Sequence, residues 1–538
     1  MQDVVGRARN HNPGNPGEGT RRRAGVGGTC GVRQRSRGGC SSKGAGLPCV
    51  TVDALRHSGS AMARAAAVVA IGFTTTVAPH ADAAQNTSTH ASAVPTAIST
   101  ASAASVASTV APASASLPAS TPADDANTRL IARGAYLAKA ADCAGCHTAP
   151  PGKAPAQHGH APAQPIPFAG GLGMASPFGT IYSSNITPDP NEGIGRYTYD
   201  DFARAVREGV APGGKRLYPA MPFPSFSGIN DEDMHALYAY FMHGVQPVSL
   251  PAPATRLPFP FNQRWALGLW SWAFAPRSRF APQPQRDALV NRGAYLVQTL
   301  GHCGACHTPR GPAYEERGYN EGDPLYLTGG TNDHWFAPNL TGDPGSGLGR
   351  VSREQIAAFL KAGHGGGLSP FGSMVQVVED SMQYLDDEDL DAIAAYLKSL
   401  PARQSYGRYS PQSIAAQQSV RALKTGEIER PGAGLYQSYC ARCHQADGMG
   451  VANKYPRLAG NPVVLSPHVT SLVRLLVEGG RSPDTQEGPQ PHRMPSFAGH
   501  LTVTEMARVL TFVRTAWGND APPVTPRDVR SVRAAIHK

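Results

Sequence analysis

Three copies of Cys-x-x-Cys-His punctuate this 538-residue chain, at Cys143/Cys146/His147, Cys303/Cys306/His307 and Cys440/Cys443/His444. They use six of the nine cysteines, and the other three (Cys30, Cys40 and Cys49) lie far upstream. No thiol remains in the body of the chain for a disulfide framework or a zinc cage. The length implies roughly three or four domains. With 59 Gly and 48 Pro, those domains are expected to be loop-rich with short helices.

The motifs sit inside a repeat. Two copies open with Arg-Gly-Ala-Tyr-Leu, at 133–137 and 292–296, and reach their cysteines about two helical turns later. Each continues with a Gly-Gly pair, Gly170-Gly171 or Gly329-Gly330. Each then has an Asn-x-Thr landmark, Asn185-Ile186-Thr187 or Asn339-Leu340-Thr341, followed by a helical pattern at 200–208 or 353–362. The third copy starts near Gly432 and is shorter. All three close with helical patterns, at 234–241, 390–400 and 506–515. These follow Asn230-Asp231-Glu232-Asp233, Asp386-Asp387-Glu388-Asp389 and Thr502-Val503-Thr504-Glu505. A side-chain oxygen followed three residues later by a carboxylate resembles a capping box, and acidic first turns suit the helix dipole.

Cys-x-x-Cys-His is the attachment signature of c-type haem: two thiols bind the porphyrin and the adjacent histidine reaches iron. A zinc site needs four ligands, and no second pair follows any motif. A thioredoxin-like dithiol needs a strand–helix context that the sequence lacks. We therefore expect three covalent haems c, attached at Cys143, Cys146, Cys303, Cys306, Cys440 and Cys443, with His147, His307 and His444 as axial ligands.

The sixth ligand is expected to be a methionine on a loop before each closing helix, since a thioether stabilises Fe(II). Met221 lies in Tyr-Pro-Ala-Met-Pro and Met494 in His-Arg-Met-Pro, where proline stiffens the loop. Met374 follows Asn339 by 35 residues, against 36 from Asn185 to Met221. Met382 is its rival, and His364 or His492 offer bis-histidine alternatives. Met234, Met242 and Met506 read as core, and Met174 and Met449 as loop packing.

The net charge of +10 suggests nucleic acid, but residues 1–61 carry +7 of it, leaving +3 for the remainder. Nucleic acid is therefore set aside as a partner. That basic stretch reads as disordered and as an upstream extension of the true start at Met62. Residues 62–84 have the charge, apolar run and small-residue end of a signal peptide, and 85–126 form an Ala/Ser/Thr/Pro tether. Cytochrome c-type domains are expected at 127–246, 286–402 and 427–520, with a Pro/Trp-rich strap at 247–285, a linker at 403–426 and a tail at 521–538. The fold class is thus mainly α: three tandem cytochrome c-type domains with long loops behind a disordered N-terminal region. The strap holds three of the five tryptophans, Trp265, Trp270 and Trp272. It reads first as packing between domains, and second as a membrane or partner surface.

With these motifs in place, the chain resembles the triheme cytochrome c subunits of bacterial membrane-bound dehydrogenases, such as those acting on gluconate and alcohols. The resemblance spans about Leu130 to Asn519. Besides the haem motifs it rests on 133–137, 185–190, 218–222, Gln383-Tyr384-Leu385 and 494–497. It implies a periplasmic face of the inner membrane and peripheral membrane association. It also implies a separate catalytic subunit with flavin, quinone or molybdenum acting on CH–OH donors, and electron delivery to ubiquinone or another acceptor. No catalytic constellation competes with the haem motifs, so no substrate chemistry is expected of this chain itself. The alternatives are a soluble multihaem carrier and a haem peroxidase, which needs five-coordinate iron.

Overall fold

Helices dominate because the apolar residues recur at helical spacing between glycine- and proline-rich loops. In this computed structural model the described residues are 122–151 and 164–536. The segments expected to be a basic extension, a signal peptide and a tether, up to residue 121, lie outside them.

In the first repeat, α1 (Pro122–Ala140) precedes the one-turn motif helix α2 (Cys143–His147), then α3 (Tyr199–Glu208) and α4 (Asp231–Ala239). Residues 122–126, read from sequence as tether, are thus the start of α1. The strap holds α5 (Ala266–Phe274). The second repeat contains α6 (Ala288–Tyr295), α7 (Gly304–His307), α8 (Arg353–Ala362), α9 (Ser373–Asp380) and α10 (Asp387–Ser399). Then come α11 (Ile414–Thr425) and the third repeat: α12 (Ala433–Tyr439), α13 (Ala441–His444), α14 (Thr470–Glu478), α15 (Val503–Thr515) and α16 (Pro526–Ile536). Sheets among the described residues are two-stranded antiparallel ladders, such as Gly173–Ser176 with Gly179–Tyr182.

The first two repeats do not build separate cores. Leu137, Met234 and Leu237 share one apolar cluster with Leu296, Leu390 and Leu397. Their packing is reciprocal. Helices α1 and α4 cross at Gly134, where a Cβ would stand 1.9 Å from the Ala236 carbonyl oxygen. Helices α6 and α10 cross at Gly293, where it would stand 1.9 Å from that of Ala392. The Arg of each Arg-Gly-Ala-Tyr-Leu pairs with the closing helix of its own repeat: Arg133 with Asp233 at 3.0 Å, Arg292 with Asp389 at 2.7 Å. The Tyr reaches across to the other repeat. Tyr136 donates to Asp389 at 2.5 Å, and Tyr295 donates to Asp233 at 2.7 Å.

This exchange corrects the capping expectation. Thr502 and Glu505 complete a full capping box, whereas Asn230 only accepts from the Asp233 amide and Asp386 makes no side-chain cap. The carboxylates of Asp233 and Asp389 have turned instead to arginine and tyrosine. Burial works against the charge of Asp389, yet the bonds from Arg292 and Tyr136 hold its carboxyl below the usual range.

The third repeat has its own core, including Tyr436, Val473, Met506, Leu510 and Trp517. Two segments expected to be connecting or terminal pieces belong to it. In 403–426, Leu423 of α11 is buried in that core, and Tyr409 pairs with Asn519 in a short ladder. In 521–538, α16 buries Val529 completely. Both carry apolar faces that only this core can cover. The second and third repeats meet where Ser471 exchanges hydrogen bonds with the Phe336 amide and carbonyl, at 2.9 and 3.0 Å.

Asp389→Ala strands the Arg292 guanidinium and the Tyr136 hydroxyl together, and should lower stability by about 3 kcal/mol. Tyr136→Phe removes one hydroxyl and should cost about 1 kcal/mol. Chemical denaturation of the full chain measures both; equal losses would contradict the shared network.

Candidate functional site

Each of the first two motif helices begins with a forced change of direction. Asp142, just before Cys143, has φ 48°, and His302, just before Cys303, has φ 35°. A left-handed residue ends the preceding helix and restarts the chain in a new turn. In the one-turn helices that follow, the His307 amide bonds the Cys303 carbonyl and the His444 amide the Cys440 carbonyl, each at 2.9 Å. The thiols and the histidine are therefore held on one short, rigid piece of backbone.

The histidine rings are oriented alike in all three repeats. His147 Nδ1 lies 2.7 Å from the Ser184 carbonyl oxygen, His307 Nδ1 2.7 Å from that of Pro338, and His444 Nδ1 2.8 Å from that of Pro456. A carbonyl only accepts, so Nδ1 carries the proton and Nε2 keeps its lone pair. That tautomer, with its second nitrogen tied to backbone, is what an iron ligand needs. Burial pushes all three rings below the ordinary histidine range, which keeps them neutral.

The cysteines do not resemble a redox dithiol. Burial pushes the thiols of Cys143, Cys146, Cys303 and Cys440 up to about 12. A reactive pair has a thiol whose pKa is lowered. The first two motifs are also neighbours: Cys146 lies within electrostatic reach of Cys306, and Phe226 packs edge-on to His302 with ring centroids 5.5 Å apart.

The candidate methionines fall into two groups. Met221 and Met374 are half-buried and pack against the shared core, as do Cys143 and Cys303. Met494 is half-buried against the third-repeat core with Cys440. Met382 is buried among the core residues themselves. Met374 was expected on a loop; it stands in the first turn of α9, after Gly372 at φ 56°. Burial first, and then the nearby His492, push the His364 ring below the ordinary histidine range. His364 Nε2 and His492 Nδ1 make no hydrogen bond.

A family profile described as Cytochrome c matches residues 290–401 and 430–517, the second and third repeats. The chain is 47% identical over 414 residues to the cytochrome c subunit of alcohol dehydrogenase (quinone) from Gluconacetobacter polyoxogenes, covering 76% of this chain and 85% of the relative. It is 45% identical to the gluconate 2-dehydrogenase cytochrome c subunit of Pantoea cypripedii, covering 76% and 91%. It is 38% identical to the fructose dehydrogenase cytochrome subunit of Gluconobacter japonicus, covering 75% and 82%. The chain belongs to the family of dehydrogenase cytochrome c subunits. Its mainly helical cytochrome c fold and a covalently bound haem c follow from that membership.

Some supporting residues carried no readable role in the sequence. The Asn-x-Thr landmark immediately follows the carbonyl that holds the histidine. Asn185 and Asn339 are buried; each accepts from the backbone amide of its threonine, at 2.9 and 2.8 Å. Their amides then donate to chain returning from the closing helix, Asn185 to the Val248 carbonyl and Asn339 to that of Arg403. The motif thus pins the carbonyl that orients the ring.

Two buried carboxyls also lie against the motifs. An added Cβ on Gly145 would stand 2.5 Å from Asp142, and one on Gly304 would stand 2.9 Å from Glu316. Asp142 Oδ1 and Glu316 Oε2 are buried without hydrogen bonds. Burial pushes both groups up to about 7, with Arg310 only partly offsetting it for Glu316. Between the ordinary Glu value of 4.5 and about 7, the folded chain binds a proton at Glu316 that the unfolded chain releases. Stability should therefore fall as pH rises through that window and then level off. Glu316→Gln should flatten the slope in a pH series of thermal unfolding; an unchanged slope removes Glu316 as its source.

Proposed function

We propose that this chain is the electron-transfer subunit of a membrane-bound dehydrogenase and carries three covalent haems c. The observation that carries the reading is the same Nδ1–carbonyl bond at His147, His307 and His444, each one residue after a Cys-x-x-Cys pair. The family profile supports the second and third sites, and the reciprocal packing of the first two repeats supports the remaining one.

When bound, such a group supplies a one-electron Fe(III)/Fe(II) couple. The chain's part is to hold and tune it. Cys143/Cys146, Cys303/Cys306 and Cys440/Cys443 attach it, and the three histidines supply Nε2. Met221, Met374 and Met494, each half-buried against the core that its motif's first cysteine also packs on, would complete the coordination. Met382 is a poor rival because the shared core already surrounds it. With a histidine and a methionine both bound, the iron of each site would have no position left for substrate, so the chemistry on CH–OH donors is assigned to a partner.

The relatives are named as subunits of alcohol, gluconate and fructose dehydrogenases. By that kinship we assign this chain a catalytic partner carrying flavin, quinone or molybdenum, and ubiquinone or another acceptor downstream. The work would take place at the periplasmic face of the inner membrane after export by the 62–84 signal. Among the described residues no helix is long and apolar enough to cross a membrane. Attachment would then be peripheral or through a partner.

Haem content of the purified chain tests the count: three per chain are expected, and two in a Cys440→Ala/Cys443→Ala variant. A wild-type value of two would remove one site. Met374→Ala should shift the potential and spectrum of a single haem, whereas Met382→Ala should leave both unchanged and cost about 2–4 kcal/mol of stability. The reverse pattern would exchange the two assignments.

A further inference from the structure

The segment that carries Met494 has little regular structure of its own. Its ladder is two residues long, Gly480 facing Met494 and Arg481 facing Arg493. Between these strands runs the loop 482–492, which contains Pro483, Pro489 and Pro491. Inside the loop, the Ser482 amide donates to the His492 carbonyl at 3.0 Å and the His492 amide to the Ser482 hydroxyl at 2.9 Å. A ladder this short, closing a loop this long, does not by itself fix a side chain at its end.

What fixes it comes from the second repeat. Each of residues 484–487 is bonded there. The Asp484 amide donates to the Glu379 carboxylate at 2.7 Å, the Thr485 hydroxyl to the Ala362 carbonyl at 3.2 Å, and the Gln486 amide to the Gln383 side chain at 3.0 Å. Glu487 pairs with Lys361 at 3.4 Å. Pro483 is buried over Gly363, where a Cβ would stand 2.1 Å from the proline ring. Gly363 ends α8 at φ 72°, so a residue without a side chain both turns the helix and admits the proline.

Glu379 is the centre of this seat. Arg481 places both terminal guanidinium nitrogens on its carboxylate, one of them at 2.6 Å. The Glu379 side chain is only 16% exposed, so solvent screens this pair less than an ordinary surface pair. One carboxylate thus holds the strand residue next to the one facing Met494, and the start of the loop as well. Glu379 lies in the last turn of α9, whose first turn holds Met374.

We propose that the second repeat sets the geometry of the third site: Glu379, through Arg481 and Asp484, is a positioning residue for Met494. The inference rests on the reading of Met494 as the sixth ligand there. A loop seated in this way presents its thioether in a conformation already fixed, so water or an added ligand displaces it less readily. One helix then serves two sites, carrying Met374 at one end and holding the Met494 hairpin at the other.

The test uses the full haem-loaded chain and its Glu379→Ala and Arg481→Ala variants. In the oxidised protein both should weaken the methionine–Fe(III) charge-transfer absorption of one haem. Both should let cyanide, which competes with the thioether, bind that haem about tenfold more tightly. The potential of that haem should fall in both, since a thioether favours Fe(II). A lost charge alone acts differently. It raises the potential in Glu379→Ala, lowers it in Arg481→Ala, and leaves the absorption and the cyanide affinity as they were. That outcome overturns the proposal, as does an absorption and cyanide affinity unaltered in both variants whatever the potentials do. In a Cys440→Ala/Cys443→Ala background, Glu379→Ala should change nothing at the two remaining haems; a change there would move the effect to Met374 and overturn it too. If Glu379→Ala loads fewer than three haems, Thr485→Val decides: it removes only the bond to the Ala362 carbonyl and should move the same readouts by a smaller step. Met494→Ala checks the underlying reading. If it abolishes the absorption while Glu379→Ala does not touch it, the positioning role alone is refuted; if it abolishes nothing, the ligand assignment falls instead.

Discussion

A carboxylate three residues into each of two closing helices governs how the first half of the molecule is assembled. Asp233 and Asp389 each accept from an arginine of their own repeat and a tyrosine of the other. Because the same Arg-Gly-Ala-Tyr-Leu supplies the arginine, the close-approach glycine and the tyrosine, one short motif sets both packing within a repeat and docking between repeats. The shared core and the proximity of Cys146 to Cys306 follow from that docking. Breaking a bond of this kind affects two repeats at once, which gives the motif a cost of loss out of proportion to its length.

The third repeat obeys a different constraint. Its closing helix keeps its glutamate for a true capping box, so no carboxylate is left to reach outwards. It completes its core with segments from both sides, α11 before it and α16 after it. Its junction with the second repeat is polar: Ser471 bonds Phe336, Arg350 donates to the Gly460 carbonyl, and the ion pairs Arg481–Glu379 and Lys361–Glu487 cross it. The chain thus contains a pair with one shared core and a third body with a core of its own.

Much of this was legible in the sequence. The three motifs, the repeat and the helical closing segments follow from spacing, and family membership agrees with the motifs that suggested it. What could not be read were features that depend on meetings in space. Asp389 looks like a helix cap until Arg292 and Tyr136 arrive. Residues 403–426 and 521–538 look like connectors because their apolar positions are sparse, yet Leu423 and Val529 find a core waiting. The Asn-x-Thr landmark was visible as a repeat, but its task of pinning a carbonyl against a histidine needs the fold. Met374 was expected on a loop and stands in the first turn of a helix, since a loop and a helix start share the same Gly-Ser preface.

The reciprocity of the first two repeats has a further consequence. An interface in which residue i of one body binds residue j of another, and j of the first binds i of the second, is isologous, the kind that joins identical subunits about a two-fold axis. Here it is written within a single chain, with Tyr136 and Tyr295 exchanging places. A first repeat on its own therefore presents a self-complementary face. The covalent link through the strap converts what is in form a homodimer into one polypeptide whose halves are free to diverge. Helix α5 lies in that link, where a true homodimer has no counterpart, so the link is what breaks the symmetry and gives the pair two different sides.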